Sequence, residues 1–524
     1  MIINMAEHLQ LGISPISTTF FALVVALAIY LLIIKRRNHL DHLLPLPPGP
    51  KPWPIIGNLP HLGSAPHSSL AEMARTYGPL MHLKLGSVHV MVAASASVAS
   101  QFLKTHDANF ANRPPNAGAK YVGYNYQDLV FAPYNPRWRF LRKICYTHLF
   151  SPKALDNFHH IRQEEVAVLA DALARSSEGK VAVKLGDLLT VCVTNALGRV
   201  MLGFRVFGEG SGSKEFKQMV VELMALSGQF NIGDFIPWLE WLDVQGLVAK
   251  LKNIHRRFDD FLNKIIEEHQ SGCGTESHKD LLSMLIGLKR DGDGEGNSLN
   301  DIEIKALLLN LITAGTDTSS STIEWALAEL IRHPHILARA QQELDSVVGR
   351  DRLVSDSDLS RLTYFQAIMK ETFRLHPSTP LSIPHMSTET CQVNGYSIPK
   401  GSTLLVNVWA IARDPSIWSD PLEFRPDRFL RGGAQANVDV KGNDFELIPF
   451  GAGRRICAGM SLGIRMIQLV VATLVHGFDW ALPDGQSPEK LNMEEMFGLT
   501  LQRAVPLVVQ PRARLANHAY RVAS

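Results

Sequence analysis

The chain has 524 residues, with 52 Lys and Arg against 50 Asp and Glu for a net charge of +2. That length gives room for a large core, and so even a charge balance implies no polyelectrolyte partner such as nucleic acid. Five cysteines, Cys145, Cys192, Cys273, Cys391 and Cys457, stand without a CxxC pair or a regular spacing. An odd, sparse set argues against a disulfide framework and for a reducing compartment, where a single cysteine can carry a chemical task.

In chain order, the first element is membranous. Phe20 to Ile34 reads FFALVVALAIYLLII. As a helix, the mostly apolar stretch from Ile13 to Ile34 would span about 33 Å, roughly the thickness of a bilayer core. Lys35, Arg36 and Arg37 follow at once and no Lys or Arg precedes them. Residues 1–34 are therefore expected to be a retained anchor with the downstream chain in the cytosol. Residues 35–63 form a basic and proline-rich linker. Its run LPLPPGPKPWPIIGNLP, Leu44 to Pro60, is poor in backbone donors and disfavours helix, so it reads as a stiff strut or an ordinary linker.

The remaining residues, 64–524, are expected to form one body. MHLKLGSVHVMVAAS (Met81–Ser95) and the STLLVNVWA region (Ser402–Ala410) look strand-like. Helical periodicity dominates elsewhere, in Glu164–Ser177, Glu215–Gly228, Ile254–His269 and the long stretch Ile302–His333. Two glycine-rich stretches, 271–280 and 289–300, read as surface loops between helices. The fold class is mainly α with small β-sheets, preceded by one transmembrane helix. So large a body exceeds the usual single core, and a bulky cofactor at its centre would account for the size.

Four polar patches interrupt this pattern. WRFLRK places Trp138 and Arg142 one helical turn apart. AGTDTS (Ala314–Ser319) breaks an apolar helix with an acid and hydroxyls, and taken alone it reads as a back-bonded threonine beside a solvent-facing acid. ETFRLHP sets Glu371 and Arg374 at i and i+3, where they can pair, and FRPDRF (Phe424–Phe429) adds Arg428. PFGAGRRICAG (Pro449–Gly459) surrounds Cys457 with glycines and two adjacent arginines.

In this order, ending on F-x-x-G-x-R-x-C-x-G at Phe450, Gly453, Arg455, Cys457 and Gly459, the patches resemble the cytochrome P-450 haem-thiolate monooxygenases. The resemblance runs from the anchor to the C-terminus. It implies the cytochrome P-450 fold and a haem b whose iron takes Cys457 as axial thiolate, with Phe450 packed beside the sulfur. Gly453 and Gly459 would allow the loop its shape and its approach to a flat macrocycle. Arg455 would hold a haem propionate, with Trp138, Arg142, Arg113 of FANRP and His385 of SIPH as further partners. Glu371, Arg374 and Arg428 would form a structural ion-pair cluster.

On the same resemblance, Asp317 and Thr318 supply protons for oxygen activation, while Ala314 and Gly315 leave room for O2 and substrate. No dinucleotide-binding glycine motif is apparent. Electrons from NADPH are therefore expected through a separate NADPH-cytochrome P-450 reductase on the same endoplasmic reticulum membrane.

A closer resemblance is to the plant flavonoid B-ring hydroxylases. It rests on VMVAAS (Val90–Ser95), VDVKG (Val438–Gly442), GNDFELIPFGAGRRICAGMSLG and LNMEEMFGLTLQRAVPL. These stretches favour the 3′-hydroxylating members, although GGAQ (Gly432–Gln435) departs from their usual GGEK. The implied reaction is NADPH- and O2-dependent hydroxylation of a flavonoid B-ring at the 3′ position, of the naringenin to eriodictyol type. The alternative is a 3′,5′-hydroxylase or another plant phenolic hydroxylase. Thr500 of FGLTLQRA is expected to line the pocket and to restrict a second hydroxylation. A haem isomerase, a dehydratase or a haem carrier would have no use for the Asp317–Thr318 pair that this chain has.

Overall fold

The computed structural model describes residues 44–521 except 209–218, 221, 224, 228, 272–279 and 293–297. The expected anchor, the first part of the linker, Cys273 and most of both glycine-rich loops lie outside the described residues. Of the helical stretch Glu215–Gly228, the described residues 219–220, 222–223 and 225–227 are helical.

Ten α-helices of ten residues or more run through the described residues. They are α1 (Pro66–Tyr77), α2 (Pro136–Cys145), α3 (His159–Glu178), α4 (Leu185–Leu202), α5 (Leu247–Gln270), α6 (Leu281–Asp291), α7 (Asp301–Arg332), α8 (Pro334–Val348), α9 (Thr363–Leu375) and α10 (Met460–Gly477). The largest sheet has four strands, β1 (Leu80–Leu85), β2 (Val88–Ala93), β3 (His385–Met386) and β4 (Thr403–Val406), in the spatial order β1-β2-β4-β3. β1 and β2 form an antiparallel hairpin, and β2 runs parallel to β4. Side-chain alternation buries both faces of this sheet. Met81, Leu83, Val90 and Val92 enter one apolar cluster, while Leu80, Met91, Leu404 and Val406 enter another.

The strand-like reading of STLLVNVWA holds for its first half. Asn407 then accepts the Ala410 N–H at 3.0 Å and donates its amide to the His67 carbonyl at 2.8 Å. That cap turns the chain into one helical turn, Val408–Ile411, because a side chain that satisfies a free helical N–H competes with the ladder. The proline run also differs from a free-standing strut. Pro48 O accepts from His82, Asn58 donates to Lys84 O, and Pro45 O accepts from Ser397. From Pro45 onward the segment is therefore clamped to the body, largely along β1, and it ends in one 3-10 turn, Leu59–His61.

α7 organises the rest. It has 32 residues, roughly 48 Å of helix, and packs on α4, α9 and α10. Its start is fixed by a capping box in which Asn300 and Glu303 satisfy each other's backbone N–H. Its end is set by His333, which precedes the proline that opens α8. Leu307, Leu308, Ile323, Leu327 and Leu330 are fully buried, each contributing about 1.5–3 kcal/mol relative to exposure. The hydroxyls along its middle are accommodated by donating one turn back: Thr313 to Leu309, Thr318 to Ala314, Ser320 to Thr316 and Thr322 to Thr318. α4 and α10 are long and apolar enough to cross a membrane, but most of their residues are buried inside the body and their apolarity serves its core.

Glu371, Arg374 and Arg428 meet at the end of α9. Arg374 grips Glu371 with two parallel bonds of 2.7 and 2.8 Å. Its remaining donors reach the carbonyls of Ala412, Pro421 and Glu423, and Arg428 Nε reaches Glu371 at 3.1 Å. Glu371 and Arg374 are both 0% exposed. A buried pair of this kind is stable only while every donor is used. Arg374→Ala strands an unpaired carboxylate and should cost about 3–5 kcal/mol, read as a lower midpoint of chemical denaturation. A loss under about 1 kcal/mol, the scale of an exposed pair, would show that the cluster does not hold the fold.

Candidate active site

A cavity of about 760 Å³ opens beside α7 and is bounded by residues from nearly every part of the body. Its lining is mostly apolar, with Leu197, Leu226, Leu309, Leu381 and Phe497 among it. Ala314 lies midway along a buried helix yet is exposed, because it faces this space. Cys457 is likewise accessible only from inside: it lines the cavity deep in the body.

The loop that carries Cys457 folds tightly. Cys457 N–H donates to Phe450 O at 3.0 Å, and the Phe450 ring stands edge-on to Phe373. Gly451 and Gly453 take φ of +71° and +69°, in the left-handed region. A Cβ on Gly453 would collide with Leu103 O and the Asp107 carboxylate, so this glycine is needed for the loop to dock on residues 101–107. Gly459 has φ −87° and a Cβ there would only touch Phe150 at 3.6 Å. Burial pushes the Cys457 thiol pKa up, against the backbone N–H groups of Gly459 and Met460 and the Arg142 guanidinium, which favour the thiolate. Those N–H groups belong to the N-terminus of α10, where a negative charge is stabilised. Cys145 and Cys192 are buried, and the Cys145 thiol is pushed up to about 12.

Around the same cavity the structure gathers an excess of positive charge. Arg455 spends Nε on Ala111 O and Nη2 on Ala132 O, while its Nη1 is buried without a partner. Arg113 spends Nε and Nη1 on the carbonyls of Val130, Ile383 and Pro384. Burial, and then repulsion by Arg455, pulls Arg113 down to about 9. Burial likewise brings Arg455 to about 10. The carboxylate whose charge reaches both is Asp128, itself raised to about 6 by burial and bonded to Phe131 N–H and Asn310 rather than to either arginine.

An orphaned buried guanidinium N–H and two under-neutralised cations fit a dianionic group such as a haem with its two propionates. Other expected partners are used differently. The only indole N–H of Trp138 goes to Leu129 O at 2.9 Å, and its ring instead lies 4.3 Å from the Arg455 guanidinium carbon and 5.3 Å from that of Arg142. Trp138 is thus a platform holding two arginines. Arg142 Nη2 donates to Ile456 O at 2.7 Å and so braces the cysteine loop. His385 lines the cavity and donates Nδ1–H to Phe110 O, while burial and then repulsion by Arg113 lower its pKa to about 3.

On α7, Gly315 lines the cavity and its missing Cβ also admits Leu197 of α4, since a Cβ there would lie 2.8 Å from the Leu197 side chain. Thr318 lines the cavity and its hydroxyl donates to Ala314 O at 2.7 Å. Asp317 is not solvent-facing. Thr500 Oγ1 donates to one of its oxygens and Gln502 Nε2 donates to the other at 2.8 Å, while burial raises its pKa. Thr500 is 4% exposed and lines the cavity. Gln502, Asp128 and Asn310 carry no motif of their own. Gln502 was discoverable from its offset of two from Thr500, which puts both on one face of an extended chain.

A thiol loop at a helix N-terminus, an alcohol-lined helix and buried arginines with spare donors define a haem-thiolate site. The chain belongs to the cytochrome P-450 family, whose family model matches residues 47–507. Members are haem-thiolate monooxygenases that consume O2 and draw electrons from a redox partner. The chain is 69% identical over 483 residues to a flavonoid 3′-monooxygenase of Petunia hybrida, covering 91% of this chain and 94% of that one. It is 62% identical over 513 residues to a flavonoid 3′-monooxygenase of Arabidopsis thaliana, covering 97% and 100%. A flavonoid 3′,5′-hydroxylase of Crocosmia x crocosmiiflora is 56% identical over 514 residues, covering 96% and 97%.

The loop geometry separates the two motif glycines. Gly453→Ala must displace the loop from Leu103 and Asp107, so it should lower the haem content of purified protein and its thermal midpoint. Gly459→Ala meets an ordinary contact and should change both far less. Equal behaviour of the two variants would refute this account of the loop.

Proposed function

We propose that the chain hydroxylates the flavonoid B-ring at the 3′ position, with naringenin and dihydrokaempferol as substrates of the class. The observation that supports this reading is that the Petunia and Arabidopsis flavonoid 3′-monooxygenases, at 69% and 62% identity, stand above the Crocosmia 3′,5′-hydroxylase at 56%, although one rice 3′-monooxygenase, at 54%, stands just below it. The reaction takes flavonoid, O2, NADPH and a proton to the catechol, water and NADP+. Haem, when bound, supplies the oxygen activation that puts one oxygen atom on the ring and the other into water.

The protein's own residues do the rest. Cys457 would bind the haem iron through its sulfur, favoured as thiolate by the Gly459 and Met460 N–H groups and by Arg142. Arg455 and Arg113 would take the propionates, with Trp138 stacking on Arg455. The apolar cavity walls would exclude water and accept a flat aromatic substrate, with a few polar groups setting its orientation. Thr318 and Asp317 would serve proton supply. With the Thr500 hydroxyl given to Asp317, its methyl is left to wall the cavity and to crowd a ring that already bears a 3′-hydroxyl. The N-terminal 34 residues would anchor the enzyme as a single-pass protein of the endoplasmic reticulum, its catalytic body in the cytosol beside an NADPH-cytochrome P-450 reductase.

Purified protein with reductase, NADPH and naringenin should give the 3′-hydroxylated catechol alone. Dihydroxylation by the wild type would favour the 3′,5′ reading, and no oxidation of any flavonoid would remove the substrate class. Cys457→His should abolish the red-shifted ferrous carbonyl spectrum of thiolate-ligated haem, whereas Cys145→Ala and Cys391→Ala should retain it. Thr318→Ala should keep substrate binding but divert reducing equivalents to hydrogen peroxide. Unchanged product per NADPH would end the proton-supply role of Thr318.

A further inference from the structure

Asp317 is not among the residues lining the cavity, whereas Thr500 is. The Thr500 hydroxyl therefore joins the acid to the cavity wall. Both Asp317 oxygens are occupied by donors from one short segment, Thr500 on Oδ2 and Gln502 on Oδ1, and Gln502 Nε2 also lies 3.4 Å from Thr500 Oγ1. The residue between them is pinned. Leu501 N–H donates to Ser378 O at 2.8 Å, and Leu501 O accepts from Ser321 and from the Trp325 indole, each at 3.1 Å. Ser321 and Trp325 sit on α7, one and two turns beyond Asp317. Three hydrogen bonds thus fix the backbone from which the two side chains reach back to α7, and little freedom remains for the carboxylate.

We infer that Thr500 and Gln502 are positioning residues for Asp317, so that the C-terminal segment walling the cavity also orients the acid of the Asp317–Thr318 pair. This rests on the reading of Asp317 as part of the proton supply. It gives Thr500 two separable duties: its methyl bears on substrate fit and its hydroxyl on the acid. A selectivity change at position 500 then carries a coupling change whenever the hydroxyl is lost.

No charged side chain figures among the causes of the Asp317 shift, which are burial and the two donors. The nearest charged residues along the two segments, Glu324 on α7 and Arg503 beside Gln502, bond to Leu507 N–H and Asn492 O and are not among those causes. Removing either donor removes stabilisation of the carboxylate and should raise its pKa further.

The test uses Thr500→Val, which keeps the shape without the hydroxyl, Thr500→Ser, which keeps the hydroxyl, and Gln502→Leu, each alone and with Asp317→Asn. In the holoenzyme, the infrared band of the protonated Asp317 carboxyl, assigned by its loss in Asp317→Asn, should appear at higher pH in Thr500→Val and Gln502→Leu. Thr500→Ser should restore the wild-type midpoint. With naringenin, Thr500→Val and Gln502→Leu should each give roughly tenfold less product per NADPH, the scale of one hydrogen bond to a charged group. In the Asp317→Asn background neither should lower that ratio further, because a residue that acts through another is non-additive with it. An unmoved infrared midpoint in both variants, or the same loss in the Asp317→Asn background, would overturn the positioning role. The infrared measurement needs no turnover. A shifted band with Asp317→Asn still fully coupled would therefore retain the positioning and remove only the proton-supply reading.

Discussion

Buried positive charge with too little negative charge beside it is the constraint on which the centre of this protein depends. Arg113 and Arg455 are held by carbonyl oxygens, Arg455 lowers the pKa of Arg113, and both feel one buried carboxylate, Asp128, whose own pKa burial raises. Carbonyls satisfy donors but do not cancel charge, so the arrangement costs free energy until an anion enters. An anionic cofactor that binds only the folded chain would then stabilise the fold in proportion to its affinity. The loop around Cys457 is subject to the same logic, since burial opposes the thiolate that its N–H groups and Arg142 favour. A cation bound to the sulfur resolves that conflict, and an anion on the arginines resolves the other. A haem carries both.

Much of this was legible in the sequence where the determining residues are neighbours. The Cys457 loop, the Glu371–Arg374 pair and the helices flanking them follow from spacing over a few residues, and the helical period of α7 survives its polar middle. The hydroxyls of that middle were readable too, because back-bonding to the preceding turn is a local act. What the sequence did not disclose depends on a partner far along the chain. Gly315 serves the approach of Leu197, and Gly453 serves the docking of residues 101–107. Trp138 looks like a donor for a carboxylate, and only the fold shows its N–H spent on Leu129 O. The proline run reads as a strut because nothing in it announces that Lys84 and Ser397 will bond to it.

Asp317 shows the same limit from the other side. Its local pattern reads equally as a solvent-facing acid or as a proton donor beside Thr318. The structure makes it neither free nor solvated, because residues 183 and 185 positions away occupy its two oxygens. Burial alone would keep such a carboxyl protonated, and donors alone would keep it ionised. With both acting, and the first prevailing, its pKa moves up from the ordinary carboxylate range. That direction brings it nearer to the range where a group can both give and recover a proton.

On the proposed roles of Thr500 and Asp317, the same geometry sets how far substrate selectivity can change without damage to the chemistry. The segment Thr500–Gln502 is bound to α7 through Leu501 and Asp317 together, so a substitution there is felt on two surfaces at once. A change that alters only the bulk facing the cavity leaves the Asp317 contact standing, whereas one that removes the hydroxyl alters cavity and acid together. Serine meets the first condition and alanine the second, although both remove the methyl. Position 500 can thus trade its methyl for room while the acid keeps its partner, and that freedom rests on the hydroxyl being held on the side of the helix.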